Sequence, residues 1–253
     1  MTKRTFFLDQ GEFVGGAERF LIDFLGQLQR SECRQIHPIL VGTPCDEYLK
    51  LLHEKAPLIE ALELKIPSVR GNVIKKGFSV LNLTNTAKKL KSLAKKHEID
   101  QVFTNTPRTH FVMYLAKKLG IKCRWVVMIH DFTTPPKILH RIAKHADIVV
   151  ANSLPTRNWI RESIDIKDHQ KIRIAENGVD LDLIPGEESP PLKRGVRGVT
   201  ILGRIDPRKG QINMIEAADL LQERNPDLQY AIVGSSTQTD QRTVDYEQKL
   251  HEF

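Results

Sequence analysis

The sequence predicts an α/β chain: one complete doubly wound parallel-sheet domain, followed by an incomplete second one. Three observations predict it. Short apolar runs alternate with amphipathic helical stretches from end to end, as in strand–helix–strand units whose sheet is covered on both faces. The alternation breaks once, at "IPGEESPPLKRGVRG", which is rich in proline, glycine and charge and reads as an interdomain linker. After it, the chain holds only two further strand–helix units. We therefore divide the sequence into a first Rossmann-like domain at 1–183, a linker at 184–195 and a partial domain at 196–253.

The elements follow in order. Thr5–Leu8 reads as a buried strand. Ala17, Phe20, Leu21, Phe24, Leu25 and Leu28 then recur at helical spacing and form one apolar stripe. "IHPILVG" is the next strand, "DEYLKLLHEK" a helix and "IEALEL" a strand, with a loop from Pro67 to Gly77. Leu83, Ala87, Leu90 and Ala94 repeat at helical spacing with lysines on the other face. "QVFTN" is a strand, "HFVMYLAKKL" a helix, and "RWVVMIHD" and "DIVVANS" two strands. A helix begins after Ser153, an N-cap residue type. "KIRIAENGVD" is a strand that runs into an Asn177-Gly178 turn. In the second domain "VTILGR" and "LQYAIVGSS" are strands, "QINMIEAADLLQER" is a helix and "TVDYEQKLHEF" starts another.

Composition narrows the class. The 253 residues carry 38 basic and 31 acidic side chains, a net charge of +7, which favours anionic partners without choosing among them. Cys33, Cys45 and Cys123 are odd in number and far apart, unlike a disulfide framework or zinc ribbon, and fit a reducing cytosol. No apolar run approaches a membrane span, so any membrane association is expected to be peripheral; lysine-rich runs such as "KKLKSLAKKH" read first as solvated helix faces, with contact to anionic lipid as the alternative. No nucleic-acid-binding signature appears, and aromatics make up 6% of residues, so nucleic acid is not an expected partner.

In open α/β sheets ligands bind beyond the carboxyl ends of the strands. Four stretches stand there. In "GEFVGGAER", Gly15 and Gly16 would let backbone approach a ligand, although a flexible connector would use the same residues. In "MIHD", His130 can donate to a substrate hydroxyl or phosphate, with Asp131 beside it; a histidine satisfied by neighbouring backbone is the alternative. In "ENGVDLDL", Asn177-Gly178 is a turn, and the pair Asp180 and Asp182 lacks the ligand count of a metal site. In "GRIDPRKG", Arg204 leaves the strand tip and Lys209 stands at a helix start, where the helix dipole disfavours a cation unless an anion is bound.

Taken together, these stretches resemble the GT-B glycosyltransferases, and more closely the retaining family 4 transferases of bacterial glycan synthesis. The matching residues are "GGAER" (Gly15–Arg19), "HD" (His130-Asp131), "ANS" (Ala151–Ser153), "NGVD" (Asn177–Asp180), "GRIDPRKG" (Gly203–Gly210) and "IVGS" (Ile232–Ser235). They fall in family order and span nearly the whole chain. The resemblance implies a GT-B-like fold and transfer of a sugar from a nucleotide-diphosphate donor to a hydroxyl of a glycan or lipid-linked acceptor. It implies retained configuration, no metal or other cofactor, and a place in cell-envelope or polysaccharide synthesis at the cytoplasmic side, peripheral to the membrane at most. Arg204 and Lys209 would clamp the donor diphosphate, Gly15 and Gly16 would approach the same phosphates from across a cleft, and the catalytic His130 would stand near the transferring sugar. Glu18, Arg19, Asp131 and Asn177 are the further loop positions it marks, on the acceptor side. One departure matters: the family's glutamate pair has no counterpart before Phe253, so this chain is expected to be an inactive fragment. A non-catalytic shortened homologue that binds acceptor, and a sugar-nucleotide epimerase of the same fold, are the competing readings.

Overall fold

The computed structural model describes residues 2–11, 14–31, 35–67, 73–178, 181, 197–236 and 241–252. The chain forms two compact units, Met1–Leu181 and Asp182–Phe253. The expected linker at 184–195 and the pair Asp180 and Asp182 lie outside the described residues.

In the first unit seven strands form one parallel sheet. They are β1 (Lys3–Leu8), β2 (Ile36–Gly42), β3 (Glu60–Glu63), β4 (Gln101–Thr104), β5 (Arg124–Ile129), β6 (Ile148–Ala151) and β7 (Ile172–Ile174). Their spatial order is β3-β2-β1-β4-β5-β6-β7, every neighbouring pair parallel. The helices between them are α1 (Gly16–Arg30), α2 (Asp46–Lys55), α3 (Val73–Lys96), α4 (Pro107–Lys118), α5 (Pro136–His145) and α6 (Leu154–Ser163).

The alternation of side chains along β1 explains the layering. Phe7 packs with Leu21, Ile22 and Leu25 of α1 and with Tyr48 and Leu52 of α2. Phe6 and Leu8, on the other face, join a core with Leu83 and Leu90 of α3, Val112 and Met113 of α4, Leu139 and Ile142 of α5, and Ile160 of α6. Both faces are apolar and both are covered, as a parallel sheet requires. The connections leaving β1 and β4 therefore depart to opposite faces, so the chain reverses its winding between these two neighbouring tips. That reversal is the topological switch point at which ligands bind in doubly wound sheets.

Most expected elements are present, with two corrections. The loop expected from Pro67 to Gly77 ends early, because α3 begins at Val73. The sequence reading also passed directly from β5 to β6, whereas α5 lies between them. Pro136 starts α5, and Leu139, Ile142 and Ala143 bury its short apolar face. Among the described residues no helix is long and apolar enough to cross a membrane.

In the second unit β8 (Arg197–Leu202) and β9 (Leu228–Val233) pair in parallel, with α7 (Gln211–Gln222) and α8 (Gln241–Leu250) following them. The two tips meet at glycines. Gly203 N donates to Val233 O and Ile205 N to Ser235 O, both at 2.9 Å. Gly234 has φ +154°, and a Cβ there would lie 1.9 Å from Gly203 O. Gly234→Ala is therefore expected to destabilise the second unit by about 3 kcal/mol or more, through backbone strain added to the clash. Urea unfolding followed at Tyr230 or Tyr246 checks it; an unchanged midpoint contradicts it.

Candidate active site

The polar chemistry of the first unit is concentrated in a row of strand tips. Four neighbouring apolar strands each end in a polar residue: Asp9 after β1, Asn105 after β4, His130 after β5 and Asn152 after β6. Because the sheet is parallel, these residues stand side by side at its carboxyl edge, and hydrogen bonds join them in series. Asn105 Nδ2 donates to Asp9 Oδ2 at 3.0 Å and to Ala17 O at 2.9 Å. His130 Nε2 lies 2.8 Å from Asn105 Oδ1. Asn152 Nδ2 donates to His130 O at 2.9 Å. A cavity of about 290 Å³ opens over this row, lined among others by Gln10, Glu18, Asn105, Arg108, His130 and Asp131.

Burial sets the charge states. Asp9 is 1% exposed and accepts from Gln10 N at 2.7 Å, from Asn105 and from Tyr48 Oη at 3.3 Å. Burial, with help from nearby Glu18, still pushes its carboxyl up to about 7. Burial likewise pushes Glu18 up, against the hydrogen bond it accepts from Gly15 N at 3.0 Å. Burial holds His130 down to about 4, although Asp131 pulls the other way. The ring is neutral at physiological pH, held edge-on by Phe20 at a centroid distance of 5.2 Å.

The expected site residues divide. Glu18, His130 and Asp131 line one cavity. Asp131 is also committed locally, accepting from Thr133 N at 2.9 Å and Thr133 Oγ1 at 2.6 Å. Gly15 precedes α1 in extended backbone, and a Cβ at Gly16 would meet nothing within 4 Å, so the fold itself does not call for glycine at position 16. Arg19 and Asn177 are exposed and lie outside that lining. The sequence reading missed Asp9 and Asn105. For Asp9 the signal was available, since it is the first polar residue after an apolar run, as His130 is; Asn105 was less visible, because Thr104 precedes it.

The second unit revises the reading of "GRIDPRKG". Pro207–Lys209 form a separate 3₁₀ turn capped by Asp206, whose side chain accepts from Arg208 N at 3.0 Å. Helix α7 starts at Gln211, after Gly210 at φ +71°. Lys209 thus closes its own turn rather than opening the helix, and the dipole argument for a bound anion loses its force. Asp206 is 2% exposed and chelated by Arg208, at 3.1 Å from Nε and 2.8 Å from Nη2, which with Arg204 nearby keeps its carboxyl far below the usual range. Arg204 is only 3.8 Å from that occupied carboxylate, and Lys209 makes no ion pair among the described residues. Two exposed cations therefore flank one strand tip with little internal use. Among the described residues no group of three or more His, Cys, Asp and Glu could hold a metal ion.

Residues 14–183 match the family described as Glycosyltransferase Family 4. A curated relative, the Escherichia coli UDP-Gal:alpha-D-GlcNAc-diphosphoundecaprenol alpha-1,3-galactosyltransferase, is 26% identical over 219 residues, 78% of this chain and 56% of the relative. Among solved structures, the Anabaena protein HepE in complex with UDP-glucose superposes with a TM-score of 0.71 at 21% identity, covering 98% of this chain and 64% of that one. A glycosyltransferase from Rickettsia africae gives 0.69 at 22% identity, with 99% and 64% covered. The chain thus spans less than two thirds of the length of each of these proteins.

Proposed function

This chain belongs to glycosyltransferase family 4, and from that premise we propose that the protein transfers a sugar from a nucleoside-diphosphate donor to a hydroxyl of a glycan or lipid-linked acceptor, with retained anomeric configuration. The observation that carries the reading is the pair of exposed cations, Arg204 and Lys209, at the tip of β8. A diphosphate is the dianion that suits them, each charge-assisted contact contributing about 1.5–3 kcal/mol. The donor in the Anabaena structure and the donor and acceptor named for the Escherichia coli relative support it.

In the reaction the bond between the anomeric carbon and the leaving phosphate oxygen breaks. The acceptor oxygen bonds to that carbon on the same face, and the acceptor proton passes to the leaving phosphate. Arg204 and Lys209 stabilise the charge that builds on that phosphate, the task a metal performs in other transferases. The cavity over Asn105 and His130 offers its polar row to sugar hydroxyls.

The test uses the protein as its gene encodes it, a panel of UDP-hexoses and an N-acetylglucosamine-diphosphopolyprenol acceptor. Acceptor-dependent product with the donor's anomeric configuration, formed equally in excess EDTA, is expected. Inverted product, loss of transfer in EDTA, or epimerised donor without transfer overturns the reading.

A further inference from the structure

The row of strand tips fixes the protons of His130. Asn105 Nδ2 donates to Asp9 Oδ2 and to the carbonyl of Ala17, the latter an acceptor in every state. The orientation of the Asn105 amide follows, with its oxygen turned to His130 Nε2 at 2.8 Å. An amide oxygen only accepts, so the neutral ring carries its proton on Nε2. Nδ1 then bears a lone pair. It has no hydrogen-bond partner among the described residues and is not shut off from solvent, and His130 lines the cavity.

We propose that Asn105 is a positioning residue that holds His130 as the Nε2–H tautomer, so that His130 meets the substrate as a hydrogen-bond acceptor for a hydroxyl. This reverses the expectation that His130 donates to a hydroxyl or phosphate. A neutral ring with its only proton already given to Asn105 repels a phosphate oxygen and selects an O–H group. The charged and titratable groups around the ring are consistent with that state. Asp131 adjoins it, Asp9 stands behind Asn105, Glu18 comes from α1, and Arg108 and His110 come from α4. Burial outweighs the nearest carboxylate and keeps the ring neutral. Asp9 is in turn locked by Tyr48 and Gln10, which makes Asn105 the rigid middle of the row rather than a side chain free to flip.

The use of Nδ1 rests on the transferase reading; the tautomer does not. Long-range ¹⁵N–¹H spectra of histidine-labelled protein test it, with the His130 resonances assigned by their loss in His130→Asn. A neutral Nε2–H ring from pH 5.5 to 8 is expected, favoured by roughly tenfold or more as one well-made buried hydrogen bond allows. In Asn105→Ala that preference should fall towards the tautomer mixture of free histidine. Asn105→Asp, which keeps an acceptor opposite Nε2, should keep a proton on that nitrogen, whether the ring is neutral or charged. Asn105→Ser, too short to reach the ring, replaces the alanine variant if that fails to fold. An Nδ1–H ring in the parent, or a tautomer unchanged in both the alanine and serine variants, overturns the proposal. In the transfer assay Asn105→Ala should lower kcat about tenfold or more with little change in donor KM. Absence of transfer in every form would count against the transferase reading alone, since the spectra report the ring without it.

Discussion

Replacing Arg204 and Lys209 together by alanine should weaken UDP binding by roughly a hundredfold or more. Two charge-assisted contacts to a diphosphate contribute about 3–6 kcal/mol between them, which corresponds to a factor of about 10²–10⁴ in affinity. The single variants should be unequal. Lys209 has no carboxylate partner among the described residues, whereas Arg204 lies 3.8 Å from Asp206 and shares its charge. Lys209→Ala is thus the more damaging of the two. The turn itself should survive both changes, because Asp206 stays chelated by Arg208 and still caps Pro207–Lys209. Calorimetry with UDP at fixed ionic strength measures the loss, and thermal unfolding confirms the unaltered fold. Affinity within about threefold of the parent in the double variant would remove the diphosphate assignment.

That experiment bears on a stretch the sequence reading singled out for a reason only half right. Arg204 and Lys209 stand out in the sequence because one leaves a strand tip and the other follows at what reads as a helix start, where the dipole disfavours a cation. What the sequence could not show was Asp206. A buried carboxylate two residues from each of Arg204 and Arg208 looks like any acidic loop residue until its chelation by Arg208 is seen. Periodicity was legible elsewhere for a similar reason. Phe6, Phe7 and Leu8 announce a strand buried on both faces, and Leu83, Ala87, Leu90 and Ala94 announce a helix, because a single physical requirement, burial, writes both patterns. Helix α5 escaped notice because only Leu139, Ile142 and Ala143 carry its stripe, behind two prolines that read as a break. The hydrogen-bonded row escaped for a deeper reason. Asp9, Asn105 and His130 are separated by many residues, and only the strand order β1-β4-β5 makes them neighbours.

The same burial predicts how the first unit unfolds in acid. Its stability should rise with pH between about 4 and 6.5, and turn over near 6.5–7. His110 is 1% exposed, set between Thr104 Oγ1 at 2.9 Å and the Met128 backbone, and burial holds it down to about 3. Below its unfolded value near 6.5 the unfolded chain takes up a proton that the folded ring refuses, so stability is lost as pH falls. His130, held down to about 4, acts with the same sign over a narrower range. Asp9 acts oppositely. Its carboxyl is pushed up to about 7, so its contribution is fully present below the unfolded value near 3.8 and is lost as pH rises through 7. Two imidazoles against the Asp9 carboxyl leave a net difference of at most about one proton between pH 4 and 6.5, a slope of up to about 1.4 kcal/mol per pH unit, and Glu18, also pushed up by burial, opposes the imidazoles at the acid end. Asp9→Asn removes the opposing proton and should roughly double that slope, while His110→Gln should bring it close to zero. Urea unfolding followed by Trp125 fluorescence across pH 4.5–8 reads all three, because that indole is fully buried in the core and donates to Thr104 Oγ1 at 3.0 Å. A slope that stays the same in Asp9→Asn would show that the folded protein does not hold a proton on the Asp9 carboxyl, and that the hydrogen bonds from Tyr48, Gln10 and Asn105 outweigh its burial.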